Sequence, residues 1–333
     1  MKTSVFAVDV GYGNTKYAWR ETNRDIATGM FPSLAPYTAT RTISANNGSH
    51  FKTRDVTLVK INGIEYDVGP GVSLSAAYGH TGRVLTDDYV LTNNYSALLA
   101  GAIYRSGFNH IKRLVLGLPV HTIEKYTPDL IERFTGGHDF GQGPITIEKV
   151  NVIPQPLGSL TYATALKGEH YTTSQDHLVI DVGYYTTDWV YATDFLIDDR
   201  RSGGRPGGTS QILQRIADNI SRDQKEPVYD IERIDLCRRE GQPFHFYDQE
   251  IDLTPYLIEA QQLIHDVIME IKNRVGPLES IRSIILSGGG ADLYGPVVQQ
   301  TFPRTRIEHL QNPCFANPLG FLMAGESADE AIQ

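Results

Sequence analysis

One eight-residue pattern occurs twice in this 333-residue chain. Asp9-Val10-Gly11-Tyr12-Gly13-Asn14-Thr15-Lys16 returns 172 residues later as Asp181-Val182-Gly183-Tyr184-Tyr185-Thr186-Thr187-Asp188, with Asp, Val, Gly, Tyr and a Thr in the same places. Each copy follows an apolar run, Val5–Val10 or Leu178–Val182, and leads into a second strand-like stretch. A repeat at this separation implies two related domains, because a solenoid would repeat every few tens of residues. Each domain must therefore contain a strand, a glycine turn and a second strand, which is a hairpin.

The residue types in the pattern suit a nucleotide clamp. Glycine turns let backbone N–H groups approach phosphate oxygens without a Cβ in the way. Thr15 and Thr187 offer hydroxyl donors, and Lys16 offers a point charge for phosphate. Asp9 and Asp181, each at the end of a strand, suit the water shell of Mg²⁺, which keeps several waters and takes few carboxylates. A single Asp-x-Gly after a strand is usually only a turn, and it is the second copy in a matching context that favours function. Other nucleotide motifs fail. Gly11-Tyr12-Gly13-Asn14-Thr15-Lys16 lacks the third glycine of a dinucleotide fingerprint and leads into a strand, and no P-loop is present.

The remaining sequence reads as alternating helices and strands. Asn62-Gly63 between Val56–Ile61 and Ile64–Val68 predicts a hairpin with a type I′ turn. Residues 25–95 are rich in Thr, Asn and Pro and read as a small α+β insertion. Helices are expected over 88–107, 121–134, 156–168, 254–275 and from about Asn317. Buried strands are expected at 113–119, 178–183 and 283–286, and a short hairpin near 143–152. Ser202 to Thr209 reads as a glycine-rich loop before a helix to about 222. Its Gly207 and Gly208 are candidates to close over a nucleotide at the helix N-terminus, or else form a surface loop. Residues 224–253 read as a second, polar insertion.

With 30 Lys+Arg against 39 Asp+Glu, the net charge of -9 argues against direct DNA binding, which needs a broad basic surface. The two cysteines, Cys237 and Cys314, form no CxxC pair, and no leader-like or membrane-length apolar run is present. A reduced cytoplasmic setting is the expectation. The ten histidines show no H-x-x-x-H or H-E-x-x-H spacing, so no metal other than Mg²⁺ is expected. No G-x-S-x-G nucleophile elbow occurs.

Five motifs, in order, resemble those of the actin/sugar-kinase/chaperone ATPase superfamily. Asp9–Lys16 and Asp181–Asp188 look like its two phosphate hairpins. Pro154-Gln155-Pro156-Leu157-Gly158-Ser159-Leu160 and Phe315-Ala316-Asn317-Pro318-Leu319-Gly320-Phe321 look like its two connecting helices. Leu286-Ser287-Gly288-Gly289-Gly290-Ala291 looks like its adenosine motif. Phe31-Pro32-Ser33, the Asn62-Gly63 hairpin ending in Asp67-Val68-Gly69, and Gly117-Leu118-Pro119 resemble landmarks of the bacterial plasmid-segregation actins, the ParM/StbA family.

The resemblance implies an α/β, actin-like (ribonuclease H-like) duplicated fold with a nucleotide cleft between two domains. Domain I would be 1–170, completed by 313–333 and carrying the insertion at 25–95. Domain II would be 171–312, carrying the insertion at 224–253. The resemblance further implies ATP or GTP with Mg²⁺, and self-association into dynamic filaments that hydrolyse ATP. Those filaments would separate plasmids through a DNA-bound adaptor protein, with no membrane partner. Asp9, Gly11, Tyr12, Gly13, Asn14, Thr15, Lys16, Gly183, Tyr184, Tyr185, Thr186, Thr187, Ser287, Gly288, Gly289 and Gly290 would line the nucleotide. Asp9 and Asp181 would hold Mg²⁺, mostly through water.

Gln155 falls where actin has the glutamine that positions the attacking water, although ParM proteins often carry Glu there. A simple helix-cap role is its bland alternative. Asp188 falls at a second residue near that water, and with Gln155 and Asp181 it makes up the catalytic set. Asp218 is a candidate for a ribose contact. Two other functions stay open: a small-molecule kinase of the same superfamily, and a nucleotide-gated scaffold that forms no filament.

Overall fold

Apolar, β-branched runs place two central strands, and the rest of each sheet assembles around them. The computed structural model describes residues 1–38, 54–73 and 85–330. The chain divides into two units, Met1–Gly168 with Phe315–Gln333, and Glu169–Cys314.

In the first unit the strands are β1 (Lys2–Val10), β2 (Asn14–Arg20), β3 (Ile26–Pro32), β4 (Thr57–Ile61), β5 (Ile64–Val68), β6 (His110–Leu118), β7 (Gly136–Asp139) and β8 (Pro144–Pro154). Six of them form one mixed sheet in the order β3-β2-β1-β6-β8-β7, with β1, β6 and β8 mutually parallel. Helices α1 (Asn93–Ser106), α2 (Ile123–Phe134) and α3 (Gln155–Lys167) accompany it. Phe6, Val8, Leu114 and Leu116 pack with Leu98, Leu99 and Ile103 of α1 in one buried cluster. Strands of this kind, apolar on both faces, belong in the middle of a covered sheet.

The second unit repeats the theme. Its strands are β9 (Asp176–Val182), β10 (Thr186–Thr193), β11 (Leu196–Ile197), β12 (Gly203–Pro206), β13 (Phe244–Phe246), β14 (Gln249–Ile251), β15 (Ile281–Ser287) and β16 (Ile307–His309). The main sheet runs β11-β10-β9-β15-β16, and β12 also pairs with β10. Helices α4 (Thr209–Gln224), α5 (Ile231–Glu240), α6 (Thr254–Val275) and α7 (Ala291–Thr301) follow in chain order. Ile212 and Ile216 of α4 meet Ile264, Ile268 and Ile271 of α6 in the core beneath Ile180 and Ile284. The final helix α8 (Ala316–Glu330) returns to the first unit and packs on α3 and β1.

Four expectations change. Residues 144–154 are not a hairpin but one unbroken strand, β8, whose antiparallel partner β7 lies before it. Residues 26–32 are not part of an insertion: β3 pairs with β2 along its whole length, from Asn14↔Pro32 to Arg20↔Ile26. The rest of the expected 25–95 insertion lies partly outside the described residues. The helix expected over 88–107 starts at Asn93, because Thr92 caps it by accepting from the Tyr95 N–H and Tyr89–Leu91 form a separate 3-10 turn. The glycine-rich stretch before α4 is a strand, since Gly203–Pro206 pair with Trp189–Thr186 and satisfy the open edge of β10. The Asn62-Gly63 turn has φ of 51° and 82°, the two positive values that a type I′ turn needs. No helix among the described residues is long and apolar enough to cross a membrane.

α3 and α8 cross at glycines. A Cβ on Gly320 would lie 1.7 Å from the Gly158 carbonyl oxygen, and one on Gly158 would lie 2.4 Å from the Phe321 ring. Ser159 Oγ donates to Asn317 Oδ1 across the same crossing at 2.6 Å, and both residues are buried. The small residues in the two connecting-helix motifs thus allow backbone-to-backbone contact.

Candidate functional site

The two copies of the repeated pattern occupy the same register. In the first unit Asp9 sits opposite Lys16 and Val10 opposite Thr15. In the second, Asp181 sits opposite Asp188 and Val182 opposite Thr187. The equivalence extends further than the motif. Asn14 pairs with Pro32 and Thr186 with Pro206. The Ser33 N–H donates to the Gly13 carbonyl at 2.9 Å, and the Gly207 N–H to the Tyr185 carbonyl at 3.0 Å. Phe31-Pro32-Ser33 and Arg205-Pro206-Gly207 are therefore equivalent third strands, a relation the sequence hides because only the proline is shared.

In the first unit Asp9 is buried at the end of β1. Its Oδ2 accepts from Lys16 Nζ at 2.9 Å and its Oδ1 from Gln155 Nε2 at 2.8 Å. Three elements thus meet on one carboxylate: β1, β2 and the first residue of α3. Pro156 is tolerated in the first turn of α3, where its missing N–H has no helical partner to lose. Gln155 does not cap the helix through its side chain. Thr15 Oγ1 is wholly buried and donates to Ser33 Oγ, which donates in turn to the Gly11 carbonyl.

In the second unit Thr187 Oγ1 donates to the Gly207 carbonyl at 2.8 Å. Tyr294 of α7 donates to that same carbonyl at 2.6 Å, and burial pushes the Tyr294 phenol up to about 12. The expected hydroxyl donors Thr15 and Thr187 therefore spend their protons inside the hairpins. Each fixes its turn from within.

Gly207 and Gly208 are likewise committed. Both N–H groups donate to the Tyr185 carbonyl, and those of Thr209 and Ser210 donate to Gly183 and Tyr184. The N–H groups of Thr209 and Ser210 at the start of α4 are thus spent on the glycine turn. Asp218 is exposed on α4 and accepts from Gln214 Nε2 within the helix.

The β15–α7 junction brings Ser287 and the three glycines to Asp181. Ser287 lies opposite Asp181 in the parallel ladder, and its Oγ donates to Asp181 Oδ1 at 3.4 Å. Gly288 has φ of 86°, and a Cβ there would stand 2.5 Å from Asp181 Oδ1 and 2.3 Å from the Val182 carbonyl oxygen. Its N–H donates to Pro313 and that of Gly290 to Val182. Gly289 differs, since a Cβ there would meet nothing within 4 Å. It offers an open backbone surface.

The Lys16–Asp9 pair carries a stability prediction. Both side chains are nearly sealed from water, at 10% and 2% exposure. Lys16→Met leaves a buried carboxylate without its cation and should destabilise the first unit by about 3–5 kcal/mol. Adding Asp9→Asn should restore most of that loss. Denaturant midpoints of the two variants measure both effects.

Asp9 and Asp181 also test the site for Mg²⁺. Both carboxylates are buried at equivalent strand ends, with 1% and 6% exposure. No group of three or more His, Cys, Asp or Glu able to hold a metal directly occurs among the described residues. Each hairpin thus carries one buried carboxylate, a group suited to a cation's water shell.

Residues 7–158 match the family of actin like proteins, N-terminal domain, and residues 179–300 match the archaeal actin homologue MreB-like, C-terminal family. The chain belongs to the actin-like proteins. The two matches cover the two repeat hairpins separately. Solved structures agree on the fold of this actin-like protein. An archaeal actin homologue is 22% identical with a TM-score of 0.76, over 97% of this chain and 99% of that one. A 15-stranded ParM filament from Clostridium botulinum is 21% identical with a TM-score of 0.77, over 98% of this chain and 100% of that one. The archaeal homologue has also been solved in complex with ADP. No curated protein sequence matches.

The actin-like framework thus groups Asp9, Thr15, Lys16 and Gln155 in one unit, and Asp181, Thr187, Ser287 and Gly288 in the other. Asp188, opposite Asp181 in the ladder, is buried at 2% exposure. Sequence reading missed Ser33 and Tyr294 as turn-fixing residues. Ser33 lies in a motif read only as a family landmark, and Tyr294 reads as an ordinary core tyrosine.

Proposed function

We propose that this actin-like protein binds Mg-ATP through both repeat hairpins, assembles into dynamic filaments and hydrolyses ATP within them to segregate plasmid DNA through an adaptor. The observation that carries the reading is the shared register of the hairpins, which places one buried carboxylate, Asp9 or Asp181, at the mouth of each glycine turn. The ADP complex of the archaeal homologue and the ParM filament are its support from related folds.

Bound Mg²⁺ would supply charge neutralisation at the phosphates. This chain's own residues would do the rest. Asp9 and Asp181 hold waters at fixed positions. Lys16 orients Asp9 through its 2.9 Å contact. Gln155 gives Nε2 to Asp9, which leaves Oε1 to accept from a water and aim it. A carboxamide is no strong base, so rate comes from positioning. In the second unit, Asp188 would orient or polarise a water.

A small-molecule kinase needs an acceptor, and this reading does not. Phosphate release from Mg-ATP should proceed without any added hydroxyl compound, and should rise steeply above a threshold protein concentration. Turnover that appears only with an acceptor would overturn the filament reading in favour of a kinase.

A further inference from the structure

Each glycine turn carries a tyrosine at the same place, Tyr12 and Tyr184, and each tyrosine reaches away from its turn. The Tyr184 hydroxyl donates to Glu232 Oε1 at 2.6 Å. Glu232 lies in the first turn of α5, is itself buried at 8% exposure, and belongs to the segment between α4 and α6 that stands off the main sheet. The Tyr12 hydroxyl donates to the Thr86 carbonyl at 3.0 Å, and its ring stacks on Tyr89 at 4.9 Å between centroids. Thr86 and Tyr89 precede α1 and also lie off the main sheet.

We propose that Tyr184 and Tyr12 are matched latches, through which occupancy of each glycine turn by phosphate is relayed to the off-sheet segment beside it. The relay has a physical basis in the second unit. The turn backbone is held on its other side by α4, where Thr209 and Ser210 donate to the carbonyls of Gly183 and Tyr184. A ligand that reorients the turn therefore moves the Tyr184 phenol relative to a fixed helix start. The phenol in turn holds a buried carboxylate by a charge-assisted hydrogen bond, the stronger kind. Glu232 also sits near the positive end of α5, where its charge steadies the helix. Shifting this one bond alters how firmly α5 docks. Tyr184 is a positioning residue here and takes no part in chemistry.

The relay rests on the phosphate-binding reading, while the latch itself does not, and hydrogen–deuterium exchange of the full-length protein separates the two. Without nucleotide, Tyr184→Phe and Glu232→Met should each raise exchange of the 231–240 amides by about tenfold, the loss expected for a hydrogen bond to a charged group. Glu232→Gln keeps an acceptor but not the charge and should fall between wild type and Glu232→Met, whereas a packing role alone would leave the similarly sized Met and Gln variants both near wild type. Unchanged exchange in Tyr184→Phe overturns the latch. With Mg-ADP added to wild type, protection should appear at 181–188 and extend to 231–240, and in Tyr184→Phe it should stop at the hairpin. Protection that reaches 231–240 equally in both proteins overturns the relay. No protection at 181–188 in wild type refutes phosphate binding at the turn and the relay with it, and leaves the nucleotide-free comparison to decide the latch.

Discussion

Gly320→Val should leave the first unit unable to fold at ordinary temperatures. The Cβ it introduces would sit 1.7 Å from the Gly158 carbonyl oxygen and 2.4 Å from its carbon. No rotamer relieves a clash between two backbones, so α3 and α8 must move apart. Separation also breaks the buried Ser159–Asn317 hydrogen bond and withdraws Phe321, whose ring fills the space above Gly117 and Gly158. Overpacking a core commonly costs about 1–3 kcal/mol. The added loss of a buried hydrogen bond and of aromatic packing puts this variant at about 5 kcal/mol or more, comparable to the whole stability of many domains. Expression in the insoluble fraction, or loss of the first thermal transition, is the readout. Gly137→Ala is the control. A Cβ there meets nothing within 4 Å, and the change should stay within about 0.5 kcal/mol of wild type.

Gln155→Ala should separate hydrolysis from assembly. The variant loses one hydrogen bond to Asp9, worth about 1 kcal/mol, which the protein tolerates. It also loses the amide oxygen proposed to aim the water. Misplacing a reactant by about 1 Å can cost on the order of a hundredfold in rate, and that is the expected fall in phosphate release. Nucleotide affinity should change little, because Lys16 still holds Asp9. Polymer formed with Mg-ATP should therefore outlast that of wild type. A turnover within threefold of wild type would return Gln155 to the role of an ordinary helix-start residue.

Much of this architecture is legible in the residues, for identifiable reasons. The apolar runs of β1, β6, β9 and β15 are buried on both faces and have few alternatives. α6 spans Thr254–Val275, as its spacing predicts, with Pro255 at one end and Gly276 at the other. Asn62-Gly63 dictates its own turn.

What escapes the sequence is decided by neighbours. Gly203–Pro206 has poor intrinsic strand propensity, and it is a strand only because β10 offers an unpaired edge. β3 reads as loose chain because its residues, from Ile26 to Pro32, follow no clean alternation.

The site shows the same division. Asp9, Asp181 and the glycine turns announce themselves by repetition. The destinations of the Thr15, Thr187 and Tyr184 hydroxyls depend on residues 18 to 48 positions away and leave no local pattern. The tyrosines at positions 12 and 184 are visible as part of the repeat, while their partners Thr86 and Glu232 are unrelated in sequence and reveal the shared role only in three dimensions.

The central claim is nucleotide-driven assembly, and right-angle light scattering with parallel pelleting tests it most directly. Purified protein given Mg-ATP should scatter and pellet above a threshold concentration, then return to baseline as phosphate is released. Nucleotide binding and turnover with no rise in scattering and no pellet, at any protein concentration, would contradict it.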